Sequence, residues 1–419
     1  MSEPRGNRAP KRRRLPRSQG NLGGLGERWR TLPPIVRRAI PLAIVLALAL
    51  AYPFIVTDLR GLGELGDFFP QLGNVVIILV FTVMAVGLNV VVGYSGLLDL
   101  GYVAFYAAGA YTAGWLASQH FQQWNFHFGS VGISSETTGI HLSVWLVLLL
   151  AGLFTAVTGI LIGLPTLRLR GDYLAIVTLG FGEIIPQVVR NGDDFKNFNL
   201  TNGTFGINPI DSPGFGQTLN DAVGLPVSFQ QSFDRERLYY WSILGVLLFT
   251  LFCCVRLRDS RLGRAWIAIR EDEIAAAAMG IPLMRTKTWA YAIGAFFGGI
   301  AGAFYASFKS GAFPSDFYFN ISVFLLCMVI LGGMGSVWGV VAGAVLLGWL
   351  NVEGLAVLGS KFNEAAGTNV EIAKYQFGIY GAIIVLMMLF RPTGLIPERR
   401  RKRELEEGVH DESLHAVKS

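Results

Sequence analysis

Residues 321–350 read ISVFLLCMVILGGMGSVWGVVAGAVLLGWL, an apolar stretch interrupted in its middle by the glycine-rich break GGMGS at residues 332–336. A continuous helix of this length would measure about 45 Å at about 1.5 Å per residue, whereas the hydrocarbon core of a bilayer is about 30 Å thick. A single helix would therefore cross only with extreme tilt. The stretch predicts two short membrane segments, residues 321–331 and 337–350, on either side of a break.

The composition of the whole chain agrees with a membrane protein. Hydrophobic residues make up 52% of the 419 residues and charged residues only 15%, whereas about 25% of an average soluble domain is charged. Further apolar stretches are long enough, or nearly long enough, to cross a bilayer: residues 39–56, 72–92, 102–118, 142–164, 173–189, 238–255, 289–308 and 375–390. We therefore predict an all-α polytopic membrane protein with about ten transmembrane segments and glycine-broken helices. If residues 321–350 form a re-entrant loop, the number of crossings falls to eight.

The basic residues are concentrated on one predicted side of the membrane. An even number of crossings places both termini on the same side as segments 165–172 and 256–288, and most of the 35 Lys and Arg residues lie there. Because basic residues accumulate in cytoplasmic loops, this side is predicted to be cytoplasmic. The net charge of +6 therefore indicates orientation in a lipid bilayer, and no nucleic-acid partner is expected.

These assignments predict the organisation of the chain. Residues 1–38 form a basic, mostly disordered cytoplasmic tail, residues 39–390 a transmembrane domain, and residues 391–419 a second cytoplasmic tail. Within the transmembrane domain, residues 256–288 form a cytoplasmic loop and residues 190–237 a large loop on the opposite side.

No motif in the chain predicts an enzyme. The sequence has no Gly-x-x-x-x-Gly-Lys-Ser/Thr motif that could bind the phosphates of ATP. Gly61-x-Gly63-x-x-Gly66 has dinucleotide-binding spacing, but it follows no predicted strand, so no nucleotide cofactor is expected. The five histidines lack metal-ligand spacing, and no paired carboxylates or activated nucleophile stand out.

Two glycine-rich breaks and two acidic residues are candidates for a transport path. Residues 93–101 interrupt the apolar runs of the first half, as residues 332–336 do in the second, and transporters often place such breaks beside the substrate. Glu183 lies within a predicted segment, where a charge costs roughly 2.5–3.5 kcal/mol or more, so it is expected to face the bundle interior. Packing hydrogen bonds are the alternative role for the acidic residues. The path candidates are Tyr94, Ser95, Asp99, Glu183, Gly332, Gly333 and Gly335.

Glycines spaced four residues apart predict close helix contacts. Gly294, Gly298 and Gly302 share one helix face, and Gly339 and Gly343 continue the same spacing from the second break. Small residues allow helix backbones to approach closely in a bilayer.

The cytoplasmic loop contains a predicted short helix. Asp272 or Glu273 suits its amino terminus, four alanines extend it, and Gly280 with Pro282 ends it. A helix outside the membrane with an apolar alanine face predicts a surface for a protein partner.

Several long stretches resemble a known family. They are GYSGLLDLGYVAFYAAGAY at residues 93–111, LRLRGDYLAIVTLGFGEI at 167–184, LGRAWIAIREDEIAAAAMGI at 262–281, LGGMGSVWG at 331–339 and RPTGLIP at 391–397. Together they make the chain similar to the permease subunit of the high-affinity branched-chain amino acid ABC importers. The resemblance covers most of residues 75–397 and implies an ABC importer permease fold.

The resemblance implies a division of labour in the bacterial inner membrane. A second homologous permease completes the membrane pathway, two ABC ATPase subunits bind ATP and Mg on the cytoplasmic side, and a periplasmic amino-acid-binding protein delivers leucine, isoleucine or valine. The large loop at residues 190–237 would then be periplasmic. Related permeases carry urea, short amides or other amino acids, so these cargoes remain alternatives. A stand-alone secondary transporter is a further alternative.

The resemblance also assigns the short cytoplasmic helix to contact with the ATPase. The importer pattern Glu-Ala-Ala-x-x-x-Gly matches at Ala275, Ala276 and Gly280, but Ile274 occupies the glutamate position and Glu273 precedes it. The predicted ATPase-coupling residues are Arg270, Glu271, Asp272, Glu273, Ala275, Ala276 and Gly280.

Overall fold

A computed structural model of the chain describes residues 34–60, 66, 68–129, 137–169, 171–194, 199–213, 232–366, 372–391 and 393–396. The chain divides after Ile55 into two units. Much of the basic amino-terminal tail, the dinucleotide-like glycines at 61 and 63, part of the predicted large loop and the basic run at 399–403 lie outside the described residues.

The described residues are mostly helical, as the composition predicts. The helices are α1 (Pro34–Arg60), α2 (Leu72–Asn89), α3 (Val103–Leu116), α4 (Val144–Thr166), α5 (Asp172–Arg190), α6 (Ser232–Asp259), α7 (Arg261–Glu271), α8 (Glu273–Ala278), α9 (Leu283–Phe308), α10 (Phe319–Gly332), α11 (Val337–Trp349), α12 (Leu355–Ala366) and α13 (Gln376–Phe390). Short π turns at Val90–Tyr94 and Leu350–Gly354 extend α2 and join α11 to α12.

Within the part of the chain that the structure describes, seven helical stretches are long and apolar enough to cross a membrane. They are Leu72–Tyr94, Val144–Thr166, Asp172–Arg190, Glu236–Asp259, Leu283–Phe308, Pro314–Gly332 and Val337–Glu364. Each of the ten predicted segments coincides with a helix or part of one, and these seven stretches contain seven of them. The other three lie in the apolar part Val45–Val56 of α1, in the helix Gln376–Phe390, and in α3, which has 14 residues, or about 21 Å.

Helices α2 and α9 occupy the centre of the second unit. Helix α9 packs against α2, α3 and α4, and α2 also contacts α6, α10 and α11. Within the apolar window of α2, 89% of the residues are buried. Because protein surrounds α2 on nearly all sides, its end can hold non-helical backbone that lipid could not satisfy.

The predicted glycine stripe of α9 lies at these helix contacts. A Cβ atom added to Gly302 would lie 2.0 Å from the carbonyl oxygen of Tyr106 on α3, and one added to Gly294 would lie 2.4 Å from a Val91 methyl group. Gly298 faces the ring of Tyr102. Larger side chains at these positions would separate α9 from its neighbours.

A small sheet that the sequence did not predict covers one end of the bundle. Strands β1 (Ala117–Ser118), β2 (Asn125–Phe128) and β3 (Gly139–Leu142) are ordered β1-β3-β2, with β3 antiparallel to β1 and parallel to β2. The buried His141 Nδ1 lies 2.8 Å from Asp211 Oδ2. Burial raises the pKa of Asp211, and the contact with His141 opposes this effect. The described part of the predicted large loop thus packs onto the bundle.

Candidate functional site

The first break begins with a change in helix geometry. Helix α2 passes into the π turn Val90–Tyr94, after which the chain leaves helical geometry until α3 starts at Val103. Ser95 Oγ donates to the Val91 carbonyl at 2.7 Å, and Asp99 Oδ1 accepts from the Gly101 amide at 2.9 Å. Tyr94, Ser95 and Asp99 are all buried. Such π turns occur frequently at functional sites because they re-aim the chain that follows.

The second break is a tight glycine turn between α10 and α11. Gly333 and Gly335 have φ values of 112° and 89°, which side-chain-bearing residues rarely adopt. Ser336 caps α11 because its Oγ accepts from the Gly339 amide at 3.2 Å. A Cβ atom on Gly332 would lie 2.3 Å from the Gly339 carbonyl oxygen. Only a glycine allows the two helices to meet this closely.

The two breaks touch each other. Asn89 Oδ1 at the end of α2 accepts from the Gly335 amide at 2.9 Å. A Cβ atom on Gly93 would lie 2.7 Å from the same amide nitrogen. The breaks that the sequence placed in opposite halves of the chain therefore form one site, here called the break junction (residues 89–101, 332–336 and 393–396).

The end of the described chain completes the break junction. The amides of Leu395 and Ile396 donate to the carbonyls of Leu331 and Gly332 at 2.9 and 3.2 Å. Gly394 lies so close to Gly333 that a Cβ atom there would be 2.4 Å from the Gly333 Cα atom. Backbone groups freed at the second break are thus satisfied by backbone from beyond α13.

The segment 256–288, predicted to be a cytoplasmic loop, contains two helices, α7 and α8, at the opposite end of α9 from the sheet. The predicted short helix is α8, and Asp272 caps it by accepting from the Ile274 and Ala275 amides at 2.8 and 3.0 Å. Gly280 follows with a φ of 84°. Arg270 and Glu271, which we grouped with this helix, belong to the preceding α7, which the sequence did not predict. Residues 270–280 are therefore one helix end and one complete helix.

The exposed surface of α8, together with Met279 directly after it, is apolar. Ile274 is 75% exposed and Met279 is 84% exposed, whereas Ala276 is buried. Glu273 turns the other way and pairs with Lys287 of α9 at 2.9 Å. The residue in the glutamate position of the importer pattern thus points outward, and the adjacent glutamate attaches α8 to α9.

Glu183 is not in the bundle interior, contrary to the prediction. It is exposed on α5, whose buried face carries Leu174, Thr178, Gly182 and other residues 3–4 positions apart. That face packs closely on the first break, because a Cβ atom on Gly101 would lie 2.3 Å from the Thr178 carbonyl oxygen and one on Gly182 would lie 3.3 Å from the Leu100 carbonyl oxygen. The close contact of α5 with the first break therefore turns Glu183 outward.

Sequence reasoning missed three residues of the site. Asn89 and Lys287 are polar residues that tie elements together, and Asn89 could have been noticed as a lone polar residue in an apolar run. Trp266 is fully buried, and its Nε1 donates to the Thr286 carbonyl at 2.8 Å. Among the described residues, no three His, Cys, Asp or Glu side chains are grouped as metal ligands.

A family model described as the permease component of the branched-chain amino acid transport system matches residues 72–388. The chain belongs to this permease family. It is 37% identical over 387 residues to the high-affinity branched-chain amino acid transport system permease protein LivM of Escherichia coli (strain K12), covering 89% of this chain and 78% of LivM.

More distant relatives include two kinds of permease. The probable branched-chain amino acid transport permease protein LivM of Methanocaldococcus jannaschii is 24% identical over 76% of this chain and 91% of that protein. The high-affinity branched-chain amino acid transport system permease protein LivH of Escherichia coli (strain K12) is 27% identical over 42% of this chain and 51% of LivH. No solved structure matches.

Membership of the permease family confirms the resemblance that the sequence motifs suggested. Those motifs were scattered along the chain, and the structure brings parts of all five to one region. Residues 93–111, 331–339 and 391–397 contribute to the break junction, residues 167–184 pack on it through Thr178, and residues 262–281 reach it through Arg270.

Proposed function

We propose that the chain is the permease subunit of an ATP-driven importer that moves leucine, isoleucine and valine across the inner membrane. The proposal rests on family membership and, within the structure, on the pair of helices α7 and α8. This pair presents an exposed apolar face on one side and contacts the break junction on the other. A connecting loop alone would need neither feature.

The exposed face of α8 is the proposed contact for the partner ATPase. Ile274 and Met279 are large apolar side chains at an end of the molecule where the sequence is rich in basic residues. Apolar groups exposed in this way mark protein-interaction surfaces. ATP and Mg would bind to the ATPase subunits, so this chain would contribute movement and no covalent chemistry.

The exposed face of α5 is the proposed contact for the second permease. Glu183 and Gln187 are exposed there, and Gly180 has no atom within 4 Å of the position of a Cβ atom. In lipid a carboxylate on this face would be costly, whereas small and polar residues are favoured where membrane helices pack together. The substrate would then pass between the two permeases beside α5 and the break junction.

The remaining proposals concern orientation and delivery. Both termini, α7 and α8 would lie in the cytoplasm, as the distribution of basic residues predicts. A periplasmic binding protein would dock at the opposite end, on the surface that includes the small sheet. Selection among amino acids would lie largely with that binding protein.

Co-purification and uptake test the proposed function. The chain is expressed with its neighbouring ATPase, permease and binding-protein genes and reconstituted in liposomes. Wild type should retain the ATPases and import labelled leucine only with ATP and the binding protein. The double variant Ile274→Asp/Met279→Asp should lose the ATPases, because two charges would replace the apolar contact, whereas the control Arg264→Ala on α7 should keep them.

The alternatives give different results in the same experiment. ATP-dependent uptake of labelled urea or a short amide in place of leucine would assign a different cargo to the same ATP-driven mechanism. ATP-independent leucine uptake that collapses with a proton ionophore would instead identify a secondary transporter and contradict the proposal.

Photo-crosslinking tests the α5 contact. A photoreactive amino acid at Ile176, exposed on α5, should give an adduct identified as the second permease by mass spectrometry. The same group at Leu161, exposed on α4, serves as the control and should react with lipid. Equal labelling by lipid at both sites would contradict the assignment.

A further inference from the structure

We infer that Arg270 is the positioning residue through which displacement of α7 and α8 reaches the break junction during transport. The inference deepens the proposed function and rests on it. It also reassigns Arg270, which the resemblance grouped with the ATPase contacts, to the membrane side of the helix pair.

The guanidinium of Arg270 bonds the carboxyl end of α2. Its Nη1 donates to the carbonyl oxygen of Gly93, in the π turn that ends this helix. The last carbonyls of a helix have no partner within it, and the carboxyl end carries a partial negative charge. A buried helix end at this depth therefore favours a positively charged donor, and α7 supplies one.

The stem of Arg270 packs on the other side of the same turn. Gly96 has a φ of 70°, and a Cβ atom there would lie 2.9 Å from Arg270 Cγ and 3.5 Å from its Cα. Arg270 therefore holds the chain both before and after Tyr94 and Ser95. Two contacts to one side chain define its position much more closely than a single hydrogen bond would.

The contact continues from Gly93 to the second break. Gly93 accepts the bond from Arg270, and its Cα hydrogens face Asn89 Oδ1 and the Gly335 amide with no room for a methyl group. Asn89 in turn holds Gly335. Movement of α7 relative to α2 would shift Gly93 and with it the turn at Gly335, because Gly93 lies directly against Asn89 and the Gly335 amide with no free space between them.

The helix pair has a second attachment of a different kind. Trp266 and Glu273 tie α7 and α8 to the first turns of α9 through Thr286 and Lys287. Helix α9 is continuous for 26 residues, so this attachment moves with a rigid body. Arg270 instead reaches the π turn at the end of α2 and the non-helical backbone at Gly96, which can change conformation without breaking the rest of α2.

Reconstituted complexes of wild type, Arg270→Ala, Arg270→Lys and the control Arg264→Ala test the inference. Arg264 lies on the exposed side of α7 and bonds the Asp259 carbonyl in the preceding helix. Retained ATPase, ATP hydrolysis stimulated by the binding protein, and leucine imported per ATP are measured for each. Hydrogen exchange of residues 89–101 is followed with and without ATP.

Arg270→Ala should keep its ATPases and hydrolyse ATP at near the wild-type rate, but import about tenfold less leucine per ATP or lower, matching the loss of a charged hydrogen bond. The ATP-dependent change in exchange at residues 89–101 should disappear. Arg270→Lys should recover part of the leucine import per ATP and part of the ATP-dependent exchange change, because lysine keeps a charged donor but not the guanidinium geometry. Arg264→Ala should resemble wild type.

Three outcomes would overturn the inference. If Arg270→Ala imports as much leucine per ATP as wild type, the contact with Gly93 transmits no movement. If that variant loses its bound ATPase, Arg270 belongs to the docking surface. Failure of Arg270→Lys to recover any coupling in an intact complex would show that the charge is not the transmitting feature. If the Arg270→Ala permease itself does not fold in the membrane, Arg270→Gln replaces it under the same criteria. Failure of wild type to import with ATP would instead contradict the proposed function.

Discussion

Replacing Gly302 by alanine should force α3 and α9 apart. The added Cβ atom would lie 2.0 Å from the Tyr106 carbonyl oxygen and 3.1 Å from the Ala110 amide nitrogen, both of them backbone atoms. Unstrained contact needs about 3.5 Å, so the two helices must separate locally by roughly 1.5 Å. Overpacking of this kind costs about 1–3 kcal/mol. Alanine returns about 1 kcal/mol through its higher helix propensity.

Gly245→Ala provides the matched control. Gly245 lies on α6, and no atom lies within 4 Å of the position of its Cβ atom. This variant gains the same helix propensity without a clash, so the two variants should differ in unfolding free energy by about 1–3 kcal/mol. At about 2–4 °C per kcal/mol, their thermal midpoints should be separated by about 2–12 °C.

The assay is thermal unfolding of the purified protein in detergent, at one heating rate because membrane proteins commonly unfold irreversibly. Gly245→Ala should match or exceed wild type, and Gly302→Ala should fall below both. If the two alanine variants unfold at the same temperature, the close approach of α3 and α9 is wrong.

Three further substitutions test the helix pair α7 and α8. Asp272→Ala removes the cap of α8 at a cost of about 1 kcal/mol, so amide exchange in its first turn should rise about fivefold by mass spectrometry, while Asp272→Asn should not. Glu273→Ala should lower the thermal midpoint more than Lys287→Met, because Glu273→Ala leaves the buried Lys287 ammonium without its carboxylate. A larger loss in Lys287→Met would show that water solvates the ion pair. Trp266→Phe should cost about 1–3 kcal/mol in unfolding free energy, because the Thr286 carbonyl of α9 loses the hydrogen bond from the indole. Trp289→Phe, at an exposed position, should be neutral. Equal thermal midpoints for the two variants would contradict the buried contact.

Local signals in the sequence predicted the elements of the site well. Asp272 and Gly280 define the ends of α8 because a cap and a left-handed residue act on their own neighbours. Gly333 ends α10 for the same local reason. The lengths of the apolar stretches located the spanning helices, because the thickness of the bilayer sets a similar minimum length for every spanning helix.

Relations between distant residues could not be predicted in the same way. Nothing in the neighbourhood of Asn89 indicates that its side chain bonds Gly335, since the pairing depends on how α2, α10 and α11 pack. The cost of a charge in lipid predicts that Glu183 faces the interior of its own bundle, but this argument considers a single chain. Helix packing decided otherwise, since the small residues of α5 face the first break and turn the carboxylate away.

The small sheet and α7 were missed for different reasons. The strands are two to four residues long and pair across a loop, so they carry too few alternating positions to be recognised. Helix α7 mixes charged residues with Trp266 and Ile269, whose burial becomes meaningful only when α9 is beside them. Both elements are stabilised by what they pack on.

The sequence positions of the break junction determine when it can form during biosynthesis. Its residues span positions 89–396, and at about 5–20 residues per second the ribosome needs roughly 15–60 s to supply the last of them after the first. The helices can enter the bilayer one by one during that interval, but the carbonyls of Leu331 and Gly332 must wait for Leu395 and Ile396. The break junction is therefore among the last parts to close, and a nascent chain stalled after Phe390 would contain all the described helices while its junction stayed open.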